Sequence, residues 1–291
     1  MSQRFPTYFI SHGGGPWPWL RDMRRMFSNL EASLARIPSE LPAVPKAVLS
    51  ISGHWEGRDF AVMSSPRPPM VYDYSGFPPE TYSIVYPAPG APELAARTAD
   101  LLRGAGLPTR LDPKQGFDHG TFAPLFVMYP KADVPVYQIS LQSGYDPAAH
   151  FALGRALAPL RDEGVLILGS GLSYHNLRLF GPAAKQPSTA FDGWLDRTLA
   201  LDPAARTKAL EQWDQAPYAR VCHPEEDHFV PLFAALGAAE GEVATRTYHD
   251  EGLFGGAGPL DDRKRDLAAN EGLGDFGVGG SVHPLPGRDE G

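Results

Sequence analysis

The chain has 291 residues, 43% of them hydrophobic and 21% charged, with a net charge of −8. That length suits one large α/β domain or two small ones, with a sizeable core, and the acidic balance argues against nucleic acid, whose phosphates need a basic patch. A single cysteine, Cys222, excludes an internal disulfide and points to a reducing, cytoplasmic setting.

Residues 6–10 are predicted to form a short apolar strand, which runs at once into Ser11-His12 and three glycines. Arg21, Arg24 and Arg25 follow and read as the solvated face of a helix. A second strand over 46–52 ("KAVLSIS") leads to Gly53-His54, and a third is expected at 60–63. Residues 66–92 hold eight prolines together with Tyr72, Tyr74, Phe77, Tyr82 and Tyr86. That stretch is too aromatic for a disordered linker, and long ordered loops often cover active sites. The alternative is that its tyrosines simply form core.

A helix is predicted over 92–103, opened by Pro92 and stopped by Gly104. A strand at 134–141 precedes a helix over 147–162, with Asp146 as N-cap and Pro147 in the first turn. Another strand is expected at 165–169 ("VLILG"), then helices over 188–200, 203–214 and 228–237. Several strands are apolar throughout, as in a mostly parallel sheet covered on both faces. The alternation of strands and helices implies an α/β layered fold. From about residue 252 the chain is rich in glycine and charge, so a catalytic domain over 1–251 and a Gly-rich C-terminal tail over 252–291 are expected. No run approaches the ~20 apolar residues that span a membrane, and the N-terminus lacks the apolar stretch of a signal peptide.

Three histidines follow apolar strands closely: His12, His54 and His175. In an open α/β sheet, ligands bind beyond the carboxyl ends of the strands. If these strands are parallel neighbours, the three side chains converge at one end. His119 ("GFDHGTFAPL") and His228 ("EEDHFVPL") stand at turns or helix starts. His150, His249 and His283 read as surface or hydrogen-bonded residues, and His223 lies five residues before His228, a spacing that does not stack on one helix face. Glycines 13–15, 53, 120, 169 and 171 flank the candidate residues and permit tight turns and close approach.

Imidazole is the commonest protein ligand for metals such as iron and zinc. A three-histidine centre leaves a divalent ion its full charge and open positions for an anionic chelating substrate. Iron would support oxygen chemistry; zinc would support hydrolysis. H-E-x-x-H, G-x-G-x-x-G and the phosphate-binding G-x-x-x-x-G-K-[ST] are all absent. Ser170 and Ser173 lie near His175, but without G-x-S-x-G a hydrolase triad has little support.

"ISHGGGP", "SISGHWE", "YDYSGFPPETYSIVYPAPGAPELA", "GFDHGTFAPL", "GSGLSYHNLR" and "HFVPLFAALGA" occur in this order. Together they resemble the class III extradiol ring-cleavage dioxygenases, in the DOPA 4,5-dioxygenase-like branch, over roughly residues 6–238. The resemblance implies a single α/β domain with a central mixed, largely parallel sheet flanked by helices. It implies that His12, His54 and His228 are metal ligands and that His175 is an acid/base beside the metal, recorded as a further ligand in some zinc-bound forms. It also implies that His119 contacts substrate or moves protons.

The expected cofactor is Fe(II), with zinc able to bind, and the expected partners are a small catechol and dioxygen. Neither nucleic acid nor membrane is expected, and a homo-oligomer is compatible with the sequence. Tyr174 is the expected substrate contact, and Arg178 and Arg220 are candidates to meet a substrate carboxylate. The Gly-rich tail departs from the family pattern, which bears on the C-terminal edge of the pocket. A zinc-dependent hydrolase and a non-catalytic binding protein on the same fold are the competing readings.

Overall fold

The computed structural model describes residues 4–250. Its frame is one six-stranded sheet built from β1 (Thr7–Ser11), β2 (Ala47–Gly57), β3 (Phe60–Met63), β4 (Thr109–Asp112), β5 (Val136–Gln142) and β6 (Val165–Gly171). The spatial order is β1-β6-β2-β5-β3-β4. β1, β6, β2 and β5 run parallel. β3 is antiparallel to β5, and β4 follows the direction of β3. The sheet is therefore mixed and largely parallel, as expected. Only Arg58 and Asp59 separate β2 from β3, yet β5 lies between the two strands, so the chain crosses the end of β5 and turns back.

The central strands are apolar because both faces are covered. Val48, Leu49 and Ile51 of β2, Val136 to Ile139 of β5 and Val165 to Ile167 of β6 are all fully buried. The alternation of β6 shows which helix lies on which side. Ser170 points its hydroxyl to the Gly120 carbonyl, in the helix His119–Met128. Gly169 and Gly171 face the opposite way, where a Cβ would run into the carbonyls of Pro231 and His228. That face carries the helix Pro231–Gly237. Two glycines spaced by two on one strand let this helix and the turn before it lie directly on the sheet.

Five predicted strands form, each within a few residues of its expected limits except β2, which continues to Gly57. β4 has no counterpart in the sequence reading: its four residues, TRLD, are polar except for the leucine and occupy the edge of the sheet. The helix expected over 147–162 is broken at Ala158-Pro159 into Pro147–Leu157 and Pro159–Asp162, since proline cannot donate to the preceding turn. The helix expected over 188–200 begins earlier, at Pro182, and carries Pro187 inside it. The stretch 203–214 is helical to Glu211 and then tightens into a 3-10 turn, and the helix expected over 228–237 starts only at Pro231. Helices Arg21–Met26 and Ser28–Glu40 were not placed beyond the arginine face. The proposed tail and His283 lie outside the described residues.

Candidate metal centre

Each of the converging histidines reaches the carboxyl end of the sheet by a different local device. His12 is the first residue after β1. Gly13 follows at φ +73°, and the Trp17 indole N–H donates back to the His12 carbonyl at 2.8 Å, closing the turn beneath it. His54 lies in a bulge of β2. Ile51 pairs with Ile139 but Glu56 with Leu141, so three extra residues of β2 loop out around His54. His119 opens its helix, capped by the Asp118 carboxylate, which accepts from the Thr121 N–H at 3.1 Å. His228 precedes Pro231–Gly237, and its carbonyl accepts from Leu172 N–H at 2.8 Å just past β6. His175 follows β6 by four residues and donates its backbone N–H to the Cys222 carbonyl at 2.9 Å.

The ring nitrogens meet. His12 Nε2 and His54 Nε2 are 3.2 Å apart, and His54 Nε2 and His228 Nε2 are 3.0 Å apart. The His12 and His228 ring centroids are separated by 5.1 Å. His119 and His175 flank this trio: the His119 ring is 4.0 Å from that of His54, and His175 stacks on His228 at 3.4 Å and 21°. His12, His54 and His119 also present nitrogens mutually within 4.8 Å, as do the ligand atoms of His175, Asp227 and His228.

The outer nitrogens decide which edge of each ring points inward. Ser170 spends its hydroxyl hydrogen on the Gly120 carbonyl, so its oxygen accepts from His12 Nδ1 at 3.0 Å. Asp73 Oδ2 stands 3.2 Å from His54 Nδ1, and Asp227 Oδ2 stands 2.9 Å from His228 Nδ1. His12 donates from Nδ1, and a carboxylate oxygen lies beside Nδ1 of the other two rings, so Nε2 is the nitrogen that each ring turns toward its neighbours. Buried lone pairs held together repel, and a cation between them removes the repulsion. Two nitrogens each ~2.1 Å from one ion at right or tetrahedral angles stand roughly 3.0–3.4 Å apart, the separation of the His12–His54 and His54–His228 pairs. The donor set therefore fits a divalent metal.

The carboxylates carry the local negative charge. Burial alone would raise the Asp73 carboxyl, but the His119 imidazole and hydrogen bonds from His119 hold it below the usual range. Burial likewise opposes ionisation of Asp227, and His228 and His175 outweigh it, leaving the group well below the usual carboxylate range. Asp118 goes the other way. Full burial, then the charge of Asp73, lifts it to about 6, against hydrogen bonds from Ser52 (2.7 Å) and Gln138 (2.6 Å).

Five sequence-predicted histidines thus come together: His12, His54, His119, His175 and His228. Tyr174 does not join them. It is 1% exposed and donates its hydroxyl to the Leu179 carbonyl at 2.7 Å, which gives it a packing position. The aromatic ring beside the cluster is Tyr74, 5.9 Å from His119. Arg220 is paired with Glu226 at 2.7 Å and lies over Trp213, and Arg178 is exposed. Ser170 serves His12 rather than His175. His150 and His223 are buried, pushed down by burial to about 4 and about 3, and bonded elsewhere. Cys222 is buried and its thiol is raised to about 12. Asp73 and Asp227 are the participants that the sequence reading missed, and Ser170, noted there beside His175, is the partner of His12. Asp227 could have been found as the neighbour of His228, and Asp73 as the one carboxylate among residues 66–79.

Among the described residues no helix is long and apolar enough to cross a membrane. The family model for the catalytic LigB subunit of aromatic ring-opening dioxygenase matches residues 8–257. The chain is 42% identical to a 4,5-DOPA dioxygenase extradiol of Beta vulgaris, over 80% of this chain and 86% of that protein. It is 37% identical to the dioxygenase tasH of Hapsidospora irregularis, over 85% of this chain and 82% of that one. The crystal structure of an uncharacterised Escherichia coli K12 protein superposes with a TM-score of 0.70 at 29% identity, covering 97% of this chain and all of that one. The histidine-lined end of the sheet thus sits in a chain that belongs to the LigB family, as an extradiol ring-cleaving dioxygenase of the branch similar to the 4,5-DOPA enzymes.

Proposed function

We propose that His12, His54 and His228 hold a divalent metal, Fe(II) for turnover, and that the protein opens a small DOPA-like catechol outside its diol with both atoms of dioxygen. The observation that carries this reading is that His54 Nε2 lies 3.2 Å from His12 Nε2 and 3.0 Å from His228 Nε2, with an oxygen beside Nδ1 of each ring. The 42% identical relative named a 4,5-DOPA dioxygenase supports the substrate class.

When bound, the ion supplies the electron path between catechol and dioxygen. The protein's own groups handle geometry and protons. Three neutral imidazoles add no negative charge of their own, which favours an anionic, chelating substrate. A catechol that binds through both oxygens must shed protons, and imidazole titrates in the range where it can take and return them. His175 stands over His228, with Asp227 Oδ1 at 3.8 Å from its Nδ1 to offset an imidazolium charge. It is the acid/base of this reading. His119 is held through Nδ1 by Asp73 at 3.0 Å, so Nε2 is the atom through which it would meet substrate. Tyr74, Phe77 and Phe122 form an aromatic wall on the His119 side, suited to a flat ring.

Metal analysis of single variants tests the assignment. His12→Ala, His54→Ala and His228→Ala should each lose stoichiometric metal and turnover together. His175→Phe should keep the metal and lose turnover. Full metal content in His12→Ala would remove His12 from the ligand set.

A further inference from the structure

Asp73 belongs to the proline-rich aromatic loop, ten residues past the end of β3 and outside every strand. Its carboxylate nevertheless receives three groups from two different histidines. Oδ2 lies 3.2 Å from His54 Nδ1 and 3.0 Å from His119 Nδ1, and Oδ1 accepts the His119 backbone N–H at 3.0 Å. The loop around it is built to keep it there. On one side Tyr72 donates to the Ile84 carbonyl, and on the other Tyr74 donates to the Thr81 carbonyl, each at 2.8 Å. The Val71 N–H reaches the Phe117 carbonyl at 2.8 Å, and the Phe117 N–H reaches the Pro69 carbonyl at 2.9 Å, tying the loop to the segment that leads into His119. The Asp73 side chain is 17% exposed, so water screens these contacts little.

We propose that Asp73 is a positioning residue: one carboxylate orients the ligand His54 and the substrate-side His119 together, making the aromatic loop part of the metal centre. This inference rests on the ligand assignment above. A carboxylate suits the task because it only accepts. An amide at the same place presents one accepting oxygen and one donating nitrogen, so it cannot take all three N–H groups at once. With its oxygen at the Oδ2 place, its nitrogen opposes the His119 backbone N–H; with its oxygen at the Oδ1 place, its nitrogen opposes both Nδ1–H groups, and the rings must turn over or move their hydrogens to Nε2. In the first case the start of the His119 helix must shift, and in the second the His54 lone pair leaves the metal position. Partners behind a ligand histidine commonly change metal affinity 10- to 100-fold when removed.

The test is zinc affinity of the metal-free protein, measured in competition with a chromogenic chelator, for wild type, Asp73→Asn and Tyr74→Phe. Wild type should bind one zinc ion. Asp73→Asn should bind it about 10- to 100-fold more weakly. Tyr74→Phe, which removes the neighbouring anchor to Thr81 but leaves the carboxylate, should stay within about threefold of wild type. Equal losses in both variants would assign the effect to loop stability and overturn the proposal, as would an unchanged Asp73→Asn affinity. If Asp73→Asn does not fold, Asp73→Glu carries the comparison: weaker binding than Tyr74→Phe supports the proposal, and binding as tight as Tyr74→Phe overturns it. A wild-type protein that takes up no zinc would instead overturn the ligand assignment itself.

Discussion

Gly171, the last residue of β6, is where a single methyl group should do most harm to the centre. A Cβ there would overlap the His228 carbonyl and come within 3.0 Å of Phe9 Cε2. The carbonyl cannot swing aside freely, because it accepts from the Leu172 N–H at 2.8 Å. Relief of the overlap requires the His228 backbone to move by on the order of 1 Å, whereas metal–ligand distances tolerate about 0.2 Å. Overpacking costs about 1–3 kcal/mol and the disturbed hydrogen bond about 1 kcal/mol, so Gly171→Ala should destabilise the protein by about 2–4 kcal/mol. At roughly 2–4 °C per kcal/mol for a domain of this size, metal-free protein should melt about 5–15 °C below wild type. Zinc titration of the folded variant should show loss of tight binding. Gly104→Ala is the matched control, since nothing lies within 4 Å of a Cβ there, and it should be neutral. A Gly171→Ala protein that melts with wild type and binds zinc normally would refute the claim that strand and His228 are in contact distance.

Ser170→Ala removes the acceptor for His12 Nδ1 and the donor to the Gly120 carbonyl; unsatisfied buried groups of this kind cost about 1–3 kcal/mol, to be read by urea unfolding and by weaker zinc binding. Burial holds His150 at about 4, below its ordinary 6.5. The unfolded chain therefore binds a proton that the native state refuses between those values, and stability falls as pH drops from about 6.5 to about 4. His223, held at about 3, extends the same loss to lower pH, while Asp118, raised to about 6, opposes it. Denaturant titrations of metal-free protein from pH 7.5 to 4 should show this decline, and His150→Gln should flatten it; an identical slope in the variant would contradict the assignment.

The parts of the architecture that were legible in the sequence are those written in continuous apolar runs. β1, β2, β5 and β6 are buried on both faces, so composition alone marks them, and the histidines at their ends mark the functional edge. β4 was not legible because an edge strand of four half-exposed residues lacks both period and hydrophobicity. Proline misled in two directions: Pro159 broke a helix that the pattern carried through, while Pro187 sits inside a helix that the pattern started too late. At the site, the converging histidines were visible but the groups that support them were not. Asp73 is held opposite His54 and His119 by the path of a loop, and Ser170 reaches His12 through strand pairing between β1 and β6. Such contacts are tertiary, with no spacing to read. Tyr174 shows the converse: adjacency to His175 in sequence did not bring its hydroxyl to the cluster, because the chain turns that side chain into the core.

Oxygen consumption by metal-loaded protein tests the central claim most directly. Metal-free protein would be loaded anaerobically with Fe(II) or with zinc, then mixed with DOPA or a simple catechol in buffer equilibrated with ¹⁸O₂. Uptake with Fe(II) alone, together with a ring-opened product that carries both labelled oxygen atoms, is the predicted result. Stoichiometric iron with no uptake across several catechols, or turnover that needs zinc and no dioxygen, would contradict it.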